Sequence, residues 1–429
     1  MQACEACFIK TLRYESPAHG GWGLVKLATQ LPESHLLFFS PPACGRHGAL
    51  SSVVSGIKEQ VSYVCFTEKE IVEGTYIESF LPAVDDLLAF LSKRPRAILI
   101  YTSCIDDLLG TDRQALRRAM EEKYPDIKFR FCQMDPIQLD SSKKAPGISL
   151  FVHMYDLLDG ARTNPQPRRV DLLGNVLAMT PENEIVEVLH EAGVGTISQL
   201  PEMTTFDQFL EMANASLALV VHPRALEGAK HLEAVCGVPY LPAFCTYDLK
   251  EIDAFYEKLS DRLSSALGHK VVLDLAERRT RAKEAWETAR KMLEGKKVAI
   301  DFQAVAKPYT LARTMLQLGF NVTLVATDGV SDMDKPSFEW IRERFPHVEI
   351  ANPLDPEGPK YRYRATDSDD VCVGFDVGDM VGSGHVAPIL EDDDHFGYQG
   401  IERFCKKLMD AAAIKSNLHT MIKEANLVV

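Results

Sequence analysis

Two of the chain's ten cysteines stand just beyond short apolar runs, and two more lie close together near the first residue. Cys44 falls in "SPPACGRHGAL", directly after "SHLLFFS". Cys104 falls in "YTSCIDDLLGTD", where "RAILIYT" stops, and Cys4 and Cys7 make up "ACEAC". In open parallel sheets, ligands gather beyond the carboxyl ends of the strands, where loops converge. Cysteines distant in sequence can therefore meet at such an edge. Pro41, Pro42 and Gly45 flank the first, and Ser103 and Gly110 the second, which predicts compact loops. Such a loop aims a thiolate and leaves backbone N–H groups pointing at sulfide, as an iron–sulfur cluster requires. Zinc more often takes two close Cys/His pairs, and only the N-terminal pair is close here. Spacing alone leaves a shared metal or cluster and incidental buried thiols as equal alternatives.

The elements that must position these residues read as α/β layers with mostly parallel sheets, because short apolar runs alternate with amphipathic stretches. "HLLFFS", "SYVCF", "AILIYT" and "KFRFCQ" read as strands, and "TYIESFLPAVDDLLAFLSK" and "DRQALRRAMEEKY" as helices between them. The polar connection "DGARTNPQPRR" precedes a second unit opening on "VDLLGNV". The charged helical run "LAERRTRAKEAWETARKMLEG" leads to a third unit opening on "KKVAIDFQ". These breaks give expected domains at 1–165, 166–290 and 291–429, in keeping with a chain too long for one core.

A net charge of -14 disfavours non-specific nucleic-acid binding and adhesion to anionic membranes, both of which need basic surfaces. No apolar stretch reaches the length of a membrane span, and the first residues lack the basic-then-apolar pattern of a secretion signal. A cytoplasmic protein is expected, in which ten cysteines are not a disulfide framework. Cys132, Cys236, Cys245, Cys372 and Cys405 fit the role of small buried apolar residues.

"FFSPPACGRHGA", "CFTEKEIVEGTY" and "YTSCIDDLLGTD", in that order, resemble the first domain of the nitrogenase component 1 family. "GVPYLP", "GKKVAIDFQAVAKPYTLARTMLQLGFNV" and "HFGYQGIERF" resemble later segments of the same family. The resemblance implies three Rossmann-like domains around a central cleft and an iron–sulfur oxidoreductase subunit. It implies a 4Fe–4S or larger P-cluster-like cluster ligated by Cys44 and Cys104, with either Cys4 or Cys7, the latter favoured, as a further ligand. Cys65 is not at a position the family usually uses and reads more readily as a strand residue, although "VCFTEKE" also allows it a place near the site. The implied partners are a homologous component 1-like subunit, in a homodimer or α2β2 heterotetramer, and an ATP-dependent Fe-protein reductase.

The family's catalytic members hold a second metallocofactor in the cleft, ligated by a cysteine after the central strand of the second domain. Here that stretch is "ALVVHPRAL", with His222 in the neighbourhood and no cysteine, so an ordinary nitrogen-fixing cofactor site is not expected. His222, His385 in "GSGHVAP" and Lys307 before Pro308, three strand-end positions expected to face one cleft, are the candidate catalytic residues. The histidines would serve as ligands or proton donors, and Lys307 would orient an anionic group at a helix N-terminus. The acidic runs "DSDD" and "EDDD" read as solvated loops without metal. A substrate-reducing subunit is the favoured reading, and a non-catalytic scaffold for metallocluster assembly is the alternative.

Overall fold

The computed structural model describes residues 23–133, 146–355 and 368–425. Within these the chain forms three sheets whose strands pair in parallel throughout. The described residues fall into two units, one of 23–178 and 193–244, the other of 179–192 and 245–425.

The first unit carries two sheets. β1 (Ser34–Ser40), β2 (Val61–Cys65), β3 (Ala97–Thr102) and β4 (Lys128–Gln133) lie in the order β2-β1-β3-β4. All six residues of β3 and the last six of β1 are buried, which is why these two central strands read as continuous apolar runs rather than alternating ones. On one face the Phe38 ring stacks between Tyr63 and Tyr101, its register partners on the two flanking strands. β5 (Gln166–Leu173), β6 (Thr196–Gln199), β7 (Ala215–Val220) and β8 (Tyr240–Pro242) form the second sheet, ordered β6-β5-β7-β8. Leu36, Phe38 and Tyr101 of the first sheet and Leu173, Ala218 and Val220 of the second belong to one apolar core. The helix Pro146–Asp156 supplies Phe151 and Tyr155 to that core. Gly228 of the helix Leu226–Cys236 lets the two helices close up, since a Cβ there would come within 2.8 Å of the Phe151 Cβ and of the Tyr155 ring.

The second unit holds β9 (Lys297–Asp301), β10 (Asn321–Ala326), β11 (Glu349–Ala351), β12 (Val371–Val373) and β13 (Val386–Ala387), in the order β11-β10-β9-β12-β13. The charged run expected to be helical is the helix Ala276–Met292, which buries only Ala282, Trp286 and Ala289 along one stripe. Trp286 meets Phe404 of the helix Gly397–Ala413 at 5.5 Å between ring centres. The helix Leu249–Leu267, not singled out in the sequence, also belongs to this unit. No helix among the described residues is long and apolar enough to cross a membrane.

One local expectation is corrected. "SPPACGRHGAL" is not a compact loop: Pro42–Val54 is a helix that contains Cys44. Proline is tolerated in the first helical turn because its missing N–H would be unpaired there. The glycines serve packing rather than turning. A Cβ on Gly48 would lie 2.7 Å from the Phe38 ring, so glycine is what lets this helix lie down on β1. Cys104 likewise opens a short helix, Cys104–Leu108, rather than sitting in a loop.

Candidate functional site

The carboxyl edge of the first sheet presents three thiols. β2 ends at Cys65, which is level with Ser40 at the end of β1. Cys44 follows four residues later on the helix that β1 feeds, its N–H donating to the Pro41 carbonyl at 3.0 Å. Phe39 of β1 pairs with Thr102 of β3, and Cys104 follows two residues on. The three cysteines thus leave three adjacent strands, whose backbones run ~4.8 Å apart. Of the eight cysteines among the described residues, Cys44 and Cys104 are half-buried and Cys65 is exposed, whereas the other five are buried. Cys4 and Cys7 lie outside the described residues.

The Cys104 turn is held from below. Asp106 is fully buried and its carboxylate accepts the Ser103 N–H at 3.1 Å, while Thr111 donates to it at 3.4 Å. Tyr76 meets the Thr111 hydroxyl at 2.6 Å. Burial raises the Asp106 pKa against those hydrogen bonds and the Arg113 charge. Next to this turn the Thr102 hydroxyl is buried without a hydrogen-bond partner among the described residues. A buried hydroxyl with nothing to donate to is costly in a finished core. An unspent donor two residues before a half-buried thiol suits sulfide or thiolate acceptors, and in that respect these residues fit an iron–sulfur cluster. Among the described residues alone, no three Cys, His, Asp or Glu side chains form a group that could hold a metal ion.

His222 stands just beyond β7, at the carboxyl edge of the second sheet, where its Nδ1 accepts the Arg224 N–H at 3.2 Å. Gly174, beyond β5, has φ +104, and a Cβ there would meet Ala225 at 2.8 Å and the His222 Cβ at 3.1 Å. That glycine lets the two turns touch.

Lys307 caps the helix Pro308–Gln317 beyond β9 and is largely buried, its Nζ donating to Glu251 Oε2 at 2.9 Å. The anion-accepting helix terminus expected beside it is already used. Asp334 takes the Tyr309 and Thr310 N–H groups at 2.8 and 2.7 Å, together with the Thr310 hydroxyl. Lys307 lines a narrow pocket with Cys245, Tyr247, Thr310 and Asp392.

His385 is not brought to Lys307. It precedes β13 and so lies at the amino edge of the third sheet, where Nδ1 donates to the Ala411 carbonyl at 2.8 Å. Expecting both at one edge fails because β13 is only two residues long and leaves no pattern to show which end His385 occupies. The run "EDDD" is also not simply a solvated loop: Asp392 is buried and lies in the Lys307 pocket. Neither its sequence nor its spacing marks it, because left-handed φ values of 48° at Glu391 and 64° at Asp392 turn that side chain inward.

Residues 25–381 match the family model of nitrogenase component 1 type oxidoreductases. The chain belongs to that family. This member is 22% identical over 335 residues to the nitrogenase iron-molybdenum cofactor biosynthesis protein NifE of Clostridium pasteurianum, covering 76% of this chain and 72% of that one. It is 24% identical over 238 residues to a light-independent protochlorophyllide reductase subunit of Jannaschia sp. (strain CCS1), covering 53% of this chain and 43% of that one. Its fold is similar to a solved structure titled nitrogenase Cp1 at pH 6.5, with a TM-score of 0.67, 17% identity and 94% of each chain covered. The three parallel sheets of this component 1 type chain are therefore shared architecture.

Proposed function

We propose that the chain is the electron-accepting subunit of a nitrogenase-like iron–sulfur oxidoreductase, served by an ATP-dependent Fe-protein reductase. The observation that carries this reading is the division of the cysteines. Among the described residues, the accessible ones stand at one sheet edge, and the buried ones are scattered through the cores. Cys44 and Cys104, with Cys7 or Cys4, would hold the cluster. Bound there, a cluster supplies one-electron transfer. The protein's own part is to fix the thiols: the Gly48 contact seats the Cys44 helix, and Asp106 fixes the Cys104 turn. His222 is proposed as a ligand or proton donor and Lys307 as an anion-orienting residue for a substrate or second metallocofactor.

Leu50 and Val53 on the helix that carries Cys44, and Leu108 on the one that Cys104 opens, are exposed. Apolar side chains in such positions support a homologous subunit as partner at this edge. A second reading, a scaffold that assembles a metallocluster and hands it on, is favoured by the likeness to NifE, which runs over more of both chains than the likeness to the protochlorophyllide reductase. Anaerobic protein mixed with a component 2-type Fe protein decides between them. Substrate-driven reoxidation after ATP-dependent reduction of the cluster absorbance is expected for the reductase subunit. Loss of iron to an acceptor protein without turnover would make the chain a scaffold.

A further inference from the structure

The order β6-β5-β7-β8 means that the chain leaves β5 toward one side of the second sheet and later returns on its other side. The crevice between β5 and β7 is therefore this sheet's switch point. Open parallel sheets bind ligands at such a point, beyond the carboxyl ends of the strands. The turns that follow these two strands touch there, since a Cβ on Gly174 would lie 3.1 Å from the His222 Cβ and 3.3 Å from its backbone nitrogen. His222 and Arg224 are both half-buried.

Neighbours assign the two nitrogens of the His222 ring. The Arg224 N–H donates to Nδ1 at 3.2 Å and so caps the turn Pro223–Ala225. A backbone N–H can only donate, so Nδ1 presents a lone pair, and in the neutral imidazole the proton sits on Nε2. Nη2 of the Arg224 guanidinium stands 3.5 Å from that Nε2. A bond between them would need the opposite tautomer, with a proton on Nδ1 facing the Arg224 N–H. The backbone contact decides, because the turn fixes that N–H whereas the guanidinium ends a long rotatable side chain. Nε2–H and Nη2 are thus two donors side by side, which one acceptor can serve.

We propose that His222 and Arg224 are paired donors for the oxyanion of a ligand, a carboxylate or phosphate, with His222 acting as a neutral N–H donor. This narrows the role given to His222 above. Metal on Nε2 would drive the ring proton to Nδ1 and break the contact with the Arg224 N–H, and forming the imidazolium would break it too. The side chains make the site rather than the end of a helix, because the Arg224 N–H is already spent on Nδ1. A guanidinium carries five N–H donors in a fork that suits oxyanions, so partners elsewhere do not exhaust it. What the ligand undergoes rests on the function proposed above, whereas the tautomer and the binding need neither cluster nor turnover.

Nitrogen NMR of the full-length chain, isotopically labelled at its twelve histidines, reads the tautomer. The His222 signals are those that vanish in His222→Asn. Above the usual imidazole range of pH, they should show a proton on Nε2 and none on Nδ1. Inorganic phosphate or acetate, added at constant ionic strength, should shift the Nε2–H resonance to saturation. His222→Asn retains an acceptor for the Arg224 N–H, asparagine being among the best capping residues, but has no Nε2–H. Its melting temperature should therefore hold while the Kd for the same anion, read by calorimetry, rises at least about tenfold. Arg224→Gln should weaken binding as much. A proton on Nδ1, or an Nε2–H resonance indifferent to both anions, overturns the site. So does a Kd in His222→Asn within about twofold of that of the unaltered protein. Iron content of the same anaerobic sample keeps the two ideas apart. Iron-loaded protein that binds neither anion removes this site alone, and iron-free protein that binds one through His222 leaves the site and removes the cluster.

Discussion

Cys44→Ala and Cys104→Ala are each expected to lose the iron–sulfur absorbance and iron of anaerobically purified protein, whereas Cys405→Ala keeps both. The contrast follows from where the thiols stand. A metal-ligating cysteine must be a thiolate. Cys405 is fully buried on the helix Gly397–Ala413, and burial pushes its thiol well above the usual range. Cys44 and Cys104 are half-buried beyond the ends of neighbouring strands, the second two residues after Thr102, whose hydroxyl has no partner among the described residues. Removing the Cys405 sulfur costs packing, so a lowered melting temperature with full iron is the expected signature there. Iron content per folded chain is the deciding measurement, and equal retention in all three variants would contradict the assignment of Cys44 and Cys104.

The second large effect is structural. Gly397→Ala should destabilise the second unit by roughly 3 kcal/mol or more, lowering its melting temperature by about 10 °C. Gly397 has φ +60, where a side chain is strained, and a Cβ there would overlap the carboxylate of Glu184. That carboxylate accepts the Tyr398 and Gln399 N–H groups at 2.8 and 2.7 Å and the Tyr256 hydroxyl at 2.5 Å. Burial raises the Glu184 pKa against those three donors. Pushing the carboxylate away would leave buried donors unpaired, which adds to the strain. The segment "HFGYQGIERF" is thus explained in part by a buried hydrogen-bond junction rather than by a ligand. A melting temperature within 2 °C of the unaltered protein would show that Glu184 can move aside at little cost.

The same contrast between buried apolar runs and polar detail decides how much can be read from the sequence. The four strands of the first sheet fall within a residue or so of "HLLFFS", "SYVCF", "AILIYT" and "KFRFCQ". The two central ones are covered on both faces and need unbroken apolar side chains, and the last alternates buried Phe129 and Phe131 with half-buried Lys128 and Arg130. The placement of Cys44 and Cys104 beyond strand ends is legible for the same reason. Gly45 and Gly48, however, look alike in sequence whether they bend a chain or let a helix approach a ring, so the Cys44 helix reads as a loop. Asp392 is hidden because an acidic run reads as solvated unless the backbone turns one member inward. His385 groups with Lys307 in the sequence because spacing does not reveal which edge of a sheet a loop occupies.

Crystals grown and frozen without oxygen allow iron to be located by anomalous scattering at its absorption edge. Metal bonded to the sulfurs that follow β1 and β3 is the expected finding. A clean map with those two side chains turned into separate packing, or iron held only elsewhere, would contradict a redox centre at the first sheet.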